Sequence, residues 1–279
     1  MEKIFDKCYD EERALYGSEN LYISNCQFDG IADGESALKE SSNILVENCF
    51  FNLRYPFWHN EELTVAESEM TLNCRAPIWY SKNIQLDRCK INGVKAVREC
   101  ENVRIFDSSI VSTEFGWLSS EMKIRRSTIE GEYMMLHTKN IDMKDTSIAG
   151  KYSFQYVENA LIENCNFNTK DAFWHAKNVT VKNSVIKGEY LGWYSENLTL
   201  ESCKIIGTQP LCYCKGLTLI DCEMIDCDLS FEKSEVKATL TSPILSIKNP
   251  KSGEIIVPYC NEIIMDDKNA HCSIIEEKQ

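Results

Sequence analysis

Asn20-Leu21-Tyr22-Ile23-Ser24-Asn25-Cys26-Gln27-Phe28 is one copy of a nine-residue block that returns as Asn43 to Phe51, Asn83 to Ile91, Asn159 to Phe167 and Asn197 to Ile205. With the leading residue called slot 0, the block starts at positions 20, 43, 62, 83, 102, 121, 140, 159, 178, 197 and 216, and the last eight starts are nineteen residues apart every time. A fixed short period is the mark of a solenoid, in which one repeat cannot bury its own apolar face and stacks on its neighbours instead.

Each slot has a physical reading. Slots 1 and 3 are apolar throughout (Ile84 and Leu86, Val179 and Val181, Leu198 and Leu200), while slots 2 and 4 are mostly polar, the alternation of a half-buried strand. Slot 6 is small in every coil, from Cys26 and Cys49 through Ser108 to Cys222, and slot 8 is apolar, which suits a tight inward corner between two strands. Asn at slot 0 and Gly at slot 10 tolerate left-handed backbone and mark the other corners.

The pattern predicts an all-β, single-stranded right-handed parallel β-helix of about eleven coils of 19 residues, capped at both ends. Parallel strands joined coil to coil favour the right-handed sense. A leucine-rich repeat shares the apolar spacing but needs a leucine three residues before slot 1, where this chain has Ser41, Asn60, Ser81, Cys100 and Ser119. A left-handed hexapeptide helix wants multiples of six. One domain, 1–279, is expected, with an N-terminal cap over 1–18 that includes a short helix, regular coils over 19–233, and an irregular C-terminal cap over 234–279 containing Pro243, Pro250 and Pro258.

Composition narrows the function classes. The net charge of −13 argues against nucleic acid, an anionic membrane surface, or a polyanionic glycan without a bridging cation. No stretch has the length of apolar residues a membrane span requires. Met1 to Tyr16 carries Glu2, Asp6, Asp10, Glu11 and Glu12 without an apolar core, so a cytoplasmic location is expected. The fourteen cysteines are then read as thiols. No Cys-x-x-Cys occurs and Cys212-Tyr213-Cys214 stands alone, so neither a metal nor another cofactor is expected.

Chemistry concentrates in two neighbouring columns. Slot 15 holds all five tryptophans (Trp58, Trp79, Trp117, Trp174 and Trp193) together with Lys39 and Arg98. Slot 16 holds Glu40, His59, Tyr80, Glu99, His137, Tyr156, His175, Tyr194 and Tyr213. Neighbours in a strand point to opposite faces, so one column faces the lumen and the other faces out. The polar slot 12 (Tyr133, Tyr152, Asp171, Tyr190) favours slot 16 outward, together with slots 12 and 14. A row of aromatic and hydrogen-bonding side chains suits a sugar chain, and Trp58, Tyr80, Arg98, His137, Tyr156, His175 and Tyr194 are the candidate binding residues. Like-on-like packing between adjacent coils accounts for the same columns without any ligand.

The first coils carry a sharper cluster. Glu40, His59, Tyr80 and Glu99 follow one another down slot 16, with Lys39 and Arg98 beside them, Arg54 and Arg75 close in sequence, and the acidic loop Asp29 to Glu35 at the same end. A carboxylate beside a histidine can orient it and raise its pKa, which makes His59 the candidate acid/base, Glu40 its orienter and Glu99 the third candidate catalytic group. A solvated ion-pair ladder is the plain alternative.

Laid out in this way, the chain resembles a family of bacterial pectin-lyase-like right-handed β-helix proteins catalogued as a domain of unknown function, three-seven-three-seven. The resemblance covers nearly the whole length. It rests on Glu12-Arg13-Ala14-Leu15-Tyr16-Gly17, Asp33-Gly34-Glu35-Ser36-Ala37-Leu38-Lys39-Glu40, Asn52-Leu53-Arg54-Tyr55-Pro56-Phe57-Trp58-His59, Leu191-Gly192-Trp193-Tyr194-Ser195, Gly207-Thr208-Gln209-Pro210-Leu211-Cys212-Tyr213-Cys214 and Phe231-Glu232-Lys233-Ser234-Glu235. It implies the pectin-lyase-like fold and brings no activity or catalytic residues. The wider superfamily includes polysaccharide lyases, hydrolases and esterases, but this chain has no Gly-His-Gly, and its one adjacent aspartate pair, Asp266-Asp267, falls in the C-terminal cap. Two functions are therefore expected to compete. One is binding of, or action on, an oligosaccharide or sugar-containing small molecule along the aromatic and histidine face. The other is a non-catalytic scaffold that uses this face on another protein or on a second copy in a homo-oligomer.

Overall fold

The structure, a computed structural model, describes residues 1–277. It is an all-β parallel solenoid, with about fourteen turns in total rather than eleven, and among the described residues it contains no α-helix, only a short 3-10 turn at Leu72–Cys74. The extra turns come from the two ends. Residues 1–18, expected as a cap with a helix, wind as a coil in which Glu2–Phe5 pairs in parallel with Glu19–Ser24 and Cys8–Tyr9 with Gln27–Phe28. At the other end Glu235–Leu240, Ser252–Val257 and Ser273–Glu276 extend a parallel ladder.

The chain divides into two units, Met1–Asp142 and Met143–Gln279. In the first, one ladder stacks Leu21 on Ile44, Leu63, Ile84, Val103 and Met122, all buried. A second ladder stacks Tyr9 on Phe28, Phe51, Met70, Ile91, Ile110 and Ile129. The rings of Phe28 and Phe51 lie face to face at 4.5 Å. The second unit repeats the scheme, with Ala160, Val179 and Leu198 in one ladder and Ile148, Phe167, Ile186 and Ile205 in the other. In-register pairing follows from the constant period: a shift of one residue would turn every slot 1 and slot 3 side chain out to water, and each loses about 1.5–3 kcal/mol of burial when fully exposed.

The corners explain the small residues. At slot 6 the backbone N–H of one coil donates to the side chain of the next, Cys49 to Ser68 Oγ and Cys89 to Ser108 Oγ, each at 3.0 Å. The hydroxyl of Ser68 then donates to the carbonyl of Ala66 two residues back in its own coil. A larger side chain would fill this corner without offering the acceptor. The same device runs down slot 17, where Cys100 N–H donates to Ser119 Oγ and Asn60 N–H to Ser81 Oγ. At slot 10 Gly188 is needed for space as well as conformation, although other coils hold Ser112 or Thr169 there. A Cβ on Gly188 would sit 2.0 Å from the Thr169 carbonyl oxygen, and its φ of +155° is closed to other residues.

Candidate functional site

The segment carrying slots 12 to 17 is not a simple strand, and this corrects the expected division of its columns between lumen and surface. Alternate residues take the left-handed conformation, as in Tyr133, Met135 and His137 (φ 55°, 61° and 55°) or Asp171, Phe173 and His175 (φ 57°, 60° and 54°). Alternating hand bends the chain into an arc, so strict two-residue alternation no longer holds. Slot 14 turns inward (Phe57, Ile78, Phe154 and Phe173 are buried) and so does slot 17, leaving slots 15 and 16 both outside except at Cys212 and Phe231, where slot 15 is buried. Slot 14 was expected outward with slot 16. Asp171, expected on the outer surface, is only 4% exposed, and burial pushes its carboxyl up against the opposing pull of Lys170.

Slot 15 lies half-buried because its indoles have a backbone task. Trp174 Nε1 donates to the Tyr190 carbonyl at 2.6 Å, Trp193 Nε1 to that of Gln209 at 2.7 Å, and Trp58 Nε1 to that of Ala76 at 2.8 Å. Trp117 makes the same bond to Tyr133. Each accepting carbonyl belongs to slot 12 of the following coil, where the left-handed bend takes it out of the coil-to-coil ladder. The tryptophan column is therefore a hydrogen-bonded support for the arc. Where Arg98 replaces an indole, its guanidinium packs on Trp79 and Trp117 at 4.9 and 5.1 Å and pairs with Glu99 and Glu114 at 3.5 and 3.2 Å.

Slot 16 stands over this support and reaches solvent, fully at residues such as His59, Tyr80, Tyr156 and Tyr194 and partly at Glu99, His175 and Tyr213. In the first unit Glu40 accepts a 2.5 Å hydrogen bond from the Tyr16 hydroxyl, with Lys39 Nζ 3.8 Å away. The Tyr16 hydroxyl, then Lys39 and His59, hold the Glu40 carboxyl below its usual range. The His59 ring lies face to face with Tyr80 at 5.1 Å. Glu99 accepts from Trp79 Nε1 at 3.3 Å and pairs with Arg98. The candidate catalytic groups are thus neighbours in one column, but the partner of Glu40 is Tyr16 rather than the imidazole. Tyr16 occupies slot 15 of the coil before the first recognised repeat, so carrying the period one turn back would have found it. His137 is exposed at the same slot.

In the second unit the column becomes continuous. Tyr156, His175, Tyr194 and Tyr213 stack at 4.7, 5.0 and 4.8 Å, with interplanar angles of 7°, 8° and 12°. Behind it Trp174 and Trp193 are parallel at 5.4 Å. Burial and the nearby Lys177 lower the pKa of His175, so its imidazole is neutral at pH 7 and can both donate and accept. Ring faces are occupied by neighbouring rings, and what the column offers outward is a comb of ring edges, hydroxyls and one imidazole at one group per coil.

Among the described residues no group of three or more His, Cys, Asp or Glu is placed to hold a metal ion. Cys212 and Cys214 are buried, and burial pushes their thiols up to about 12 and about 11. No helix among the described residues is long and apolar enough to cross a membrane.

The family described as Protein of unknown function (DUF3737) matches residues 2–276. The chain belongs to this family. No curated protein matches this family member in sequence. Among solved structures it is similar to the surface adhesin PfbA of Streptococcus pneumoniae, at 12% identity and a TM-score of 0.40, over 88% of this chain and 84% of that one. It is also similar to the A-module of the Azotobacter vinelandii mannuronan C-5 epimerase AlgE4, at 9% identity and a TM-score of 0.33, over 86% of this chain and 91% of that one.

Proposed function

We propose that this member of the family is a carbohydrate-binding protein that takes an extended oligosaccharide along its slot 16 face. The observation that carries the reading is the Tyr156–His175–Tyr194–Tyr213 stack on the outer face, with Tyr156 and Tyr194 exposed and His175 and Tyr213 half-buried. Its groups recur about every 4.8 Å, the spacing of stacked strands, comparable to the repeat of pyranose rings in an extended chain. Stacked faces leave little room for a sugar to lie flat, so recognition runs through hydrogen bonds from the hydroxyls and the neutral imidazole, with the column ends as the stacking surfaces. The side chains are held by their neighbours before any ligand arrives, which lowers the ordering cost of binding.

The test is titration calorimetry of the full chain with neutral and amino-sugar oligosaccharides of increasing length. Affinity is expected to rise with length up to about the span of the column, and to fall in His175→Ala and Tyr194→Phe. Heats that are flat for every sugar, or unchanged by both substitutions, would sink the reading. Flat heats together with a doubled mass in solution would move the assignment to a scaffold whose aromatic face meets a second copy.

A further inference from the structure

The two coils that break the nineteen-residue period in the first unit do so on the same side, and their extra residues wall a groove. Asp33, Arg54, Leu72, Asn73, Arg75 and Val94 line it, and its volume is about 680 Å³, well within the range of small-molecule sites. Both walls are braced. Gly34 is pressed so close to the Glu11 backbone that a Cβ would lie 2.2 Å from its carbonyl carbon, and Gly34 N–H donates to the Asp10 carbonyl at 2.9 Å. Asn52 ties one wall to the other: its Nδ2 donates to Asp29 at 2.8 Å, while its Oδ1 accepts from Thr71 Oγ1 at 2.5 Å and Asn73 Nδ2 at 3.0 Å.

The charges inside are unevenly used. Arg54 is already engaged: its Nη2 lies 3.3 Å from the Asp33 carboxylate and its buried Nε 3.4 Å from that of Glu35, the second contact an ion pair without hydrogen-bond geometry. Arg75 is exposed, and among the described residues no side-chain partner meets its guanidinium. With Asp33, Glu35, Arg54 and Arg75 the formal charge around the groove is zero, so a monoanion can reach Arg75, whereas a dianion meets two carboxylates at short range. A guanidinium fork matches a carboxylate in plane and spacing. Asn73 has its Oδ1 to offer, Asp33 its carboxylate, and Leu72, 60% exposed, an apolar wall. These suit hydroxyl groups and a C–H face.

We propose that this groove binds a small polyhydroxy monocarboxylate, of the sugar-acid class, with Arg75 gripping the carboxylate. The site is separate from the aromatic column, and its test does not depend on the column binding anything. The probes are D-glucuronate, D-glucose, acetate and glucose 6-phosphate, titrated into the full chain. Glucuronate is expected to bind saturably, and the other three at least about tenfold more weakly. Loss of one charged hydrogen-bonding partner in Arg75→Gln should weaken glucuronate about tenfold or more, and Arg75→Lys should recover part of that. Arg104→Gln, which removes an exposed arginine from the outer face of the strand Glu101–Phe106, should change nothing. Unchanged melting of Arg75→Gln reports that its fold is intact. The proposal is overturned if glucuronate does not bind, if Arg75→Gln binds it as well as the parent does, if glucose or acetate binds equally, or if the phosphate ester binds more tightly.

Discussion

The Arg98 guanidinium lies 4.9 Å from the centre of the Trp79 ring and 5.1 Å from that of Trp117, taking the place in the slot 15 column that an indole holds elsewhere. A planar cation is the one charged group that can stack there without breaking the column, and Glu99 and Glu114 offset its charge from the sides. A partly desolvated cation–π contact is worth about 1–2 kcal/mol, so Arg98→Ala is expected to destabilise the protein by about that much. Arg98→Trp should restore stability by continuing the indole column. Urea unfolding of the two variants checks this, and an alanine variant as stable as the parent would show that Arg98 is held for something other than stacking.

Leu118 has φ 54° and its side chain is 50% exposed, so it carries the cost of left-handed backbone with little burial in return. That conformation costs a residue with a branched side chain about 1–2 kcal/mol, and asparagine less. Leu118→Asn is therefore expected to raise the melting temperature and the β-branched Leu118→Val to lower it. The reverse order in thermal melts would mean that slot 16 is not locally strained.

The hydrogen bond from Tyr16 holds the Glu40 carboxyl below its usual value and raises the Tyr16 hydroxyl. A depressed carboxylate contributes stability that is in place above its unfolded pKa of about 4.3 and is lost as pH falls through the folded value. In Tyr16→Phe the Glu40 titration, followed by carboxyl carbon NMR, should move upward and this acid-side dependence should shrink. No movement would leave Lys39 as the main partner of Glu40.

Among the fourteen cysteines only Cys8 is exposed. The others sit in corners and lumen, where burial pushes thiols such as Cys74 and Cys89 up to about 12 and about 11, away from the reactive thiolate. A thiol-specific reagent should modify about one cysteine quickly in native protein and the remainder only on unfolding. Fast modification of several would contradict the packed corners.

Repetition made most of the fold legible. Slots 1, 3 and 8 show their burial in single residues such as Ile84, Leu86 and Ile91, and slot 6 shows the corner, because stacking imposes one environment on one slot in every coil. The period could also have been carried to the ends, where Tyr9 stacks on Phe28 and Tyr16 reaches Glu40, but single terminal copies lack the repetition that makes a pattern visible.

The amino-acid sequence by itself determined the solenoid, its register and the gathering of tryptophans, histidines and tyrosines into two columns, since all of these follow from a period along the chain. Only the tertiary structure decided which way the columns face. Side-chain direction depends on backbone hand, and the left-handed residues at slots 12, 14 and 16 include Tyr133, Met135 and His137, types whose identity does not announce that conformation. Partner choice was decided there too. Glu40 went to Tyr16, Arg98 to two indoles, and Arg75 to the open groove, because these depend on distances between coils that no spacing along the chain records.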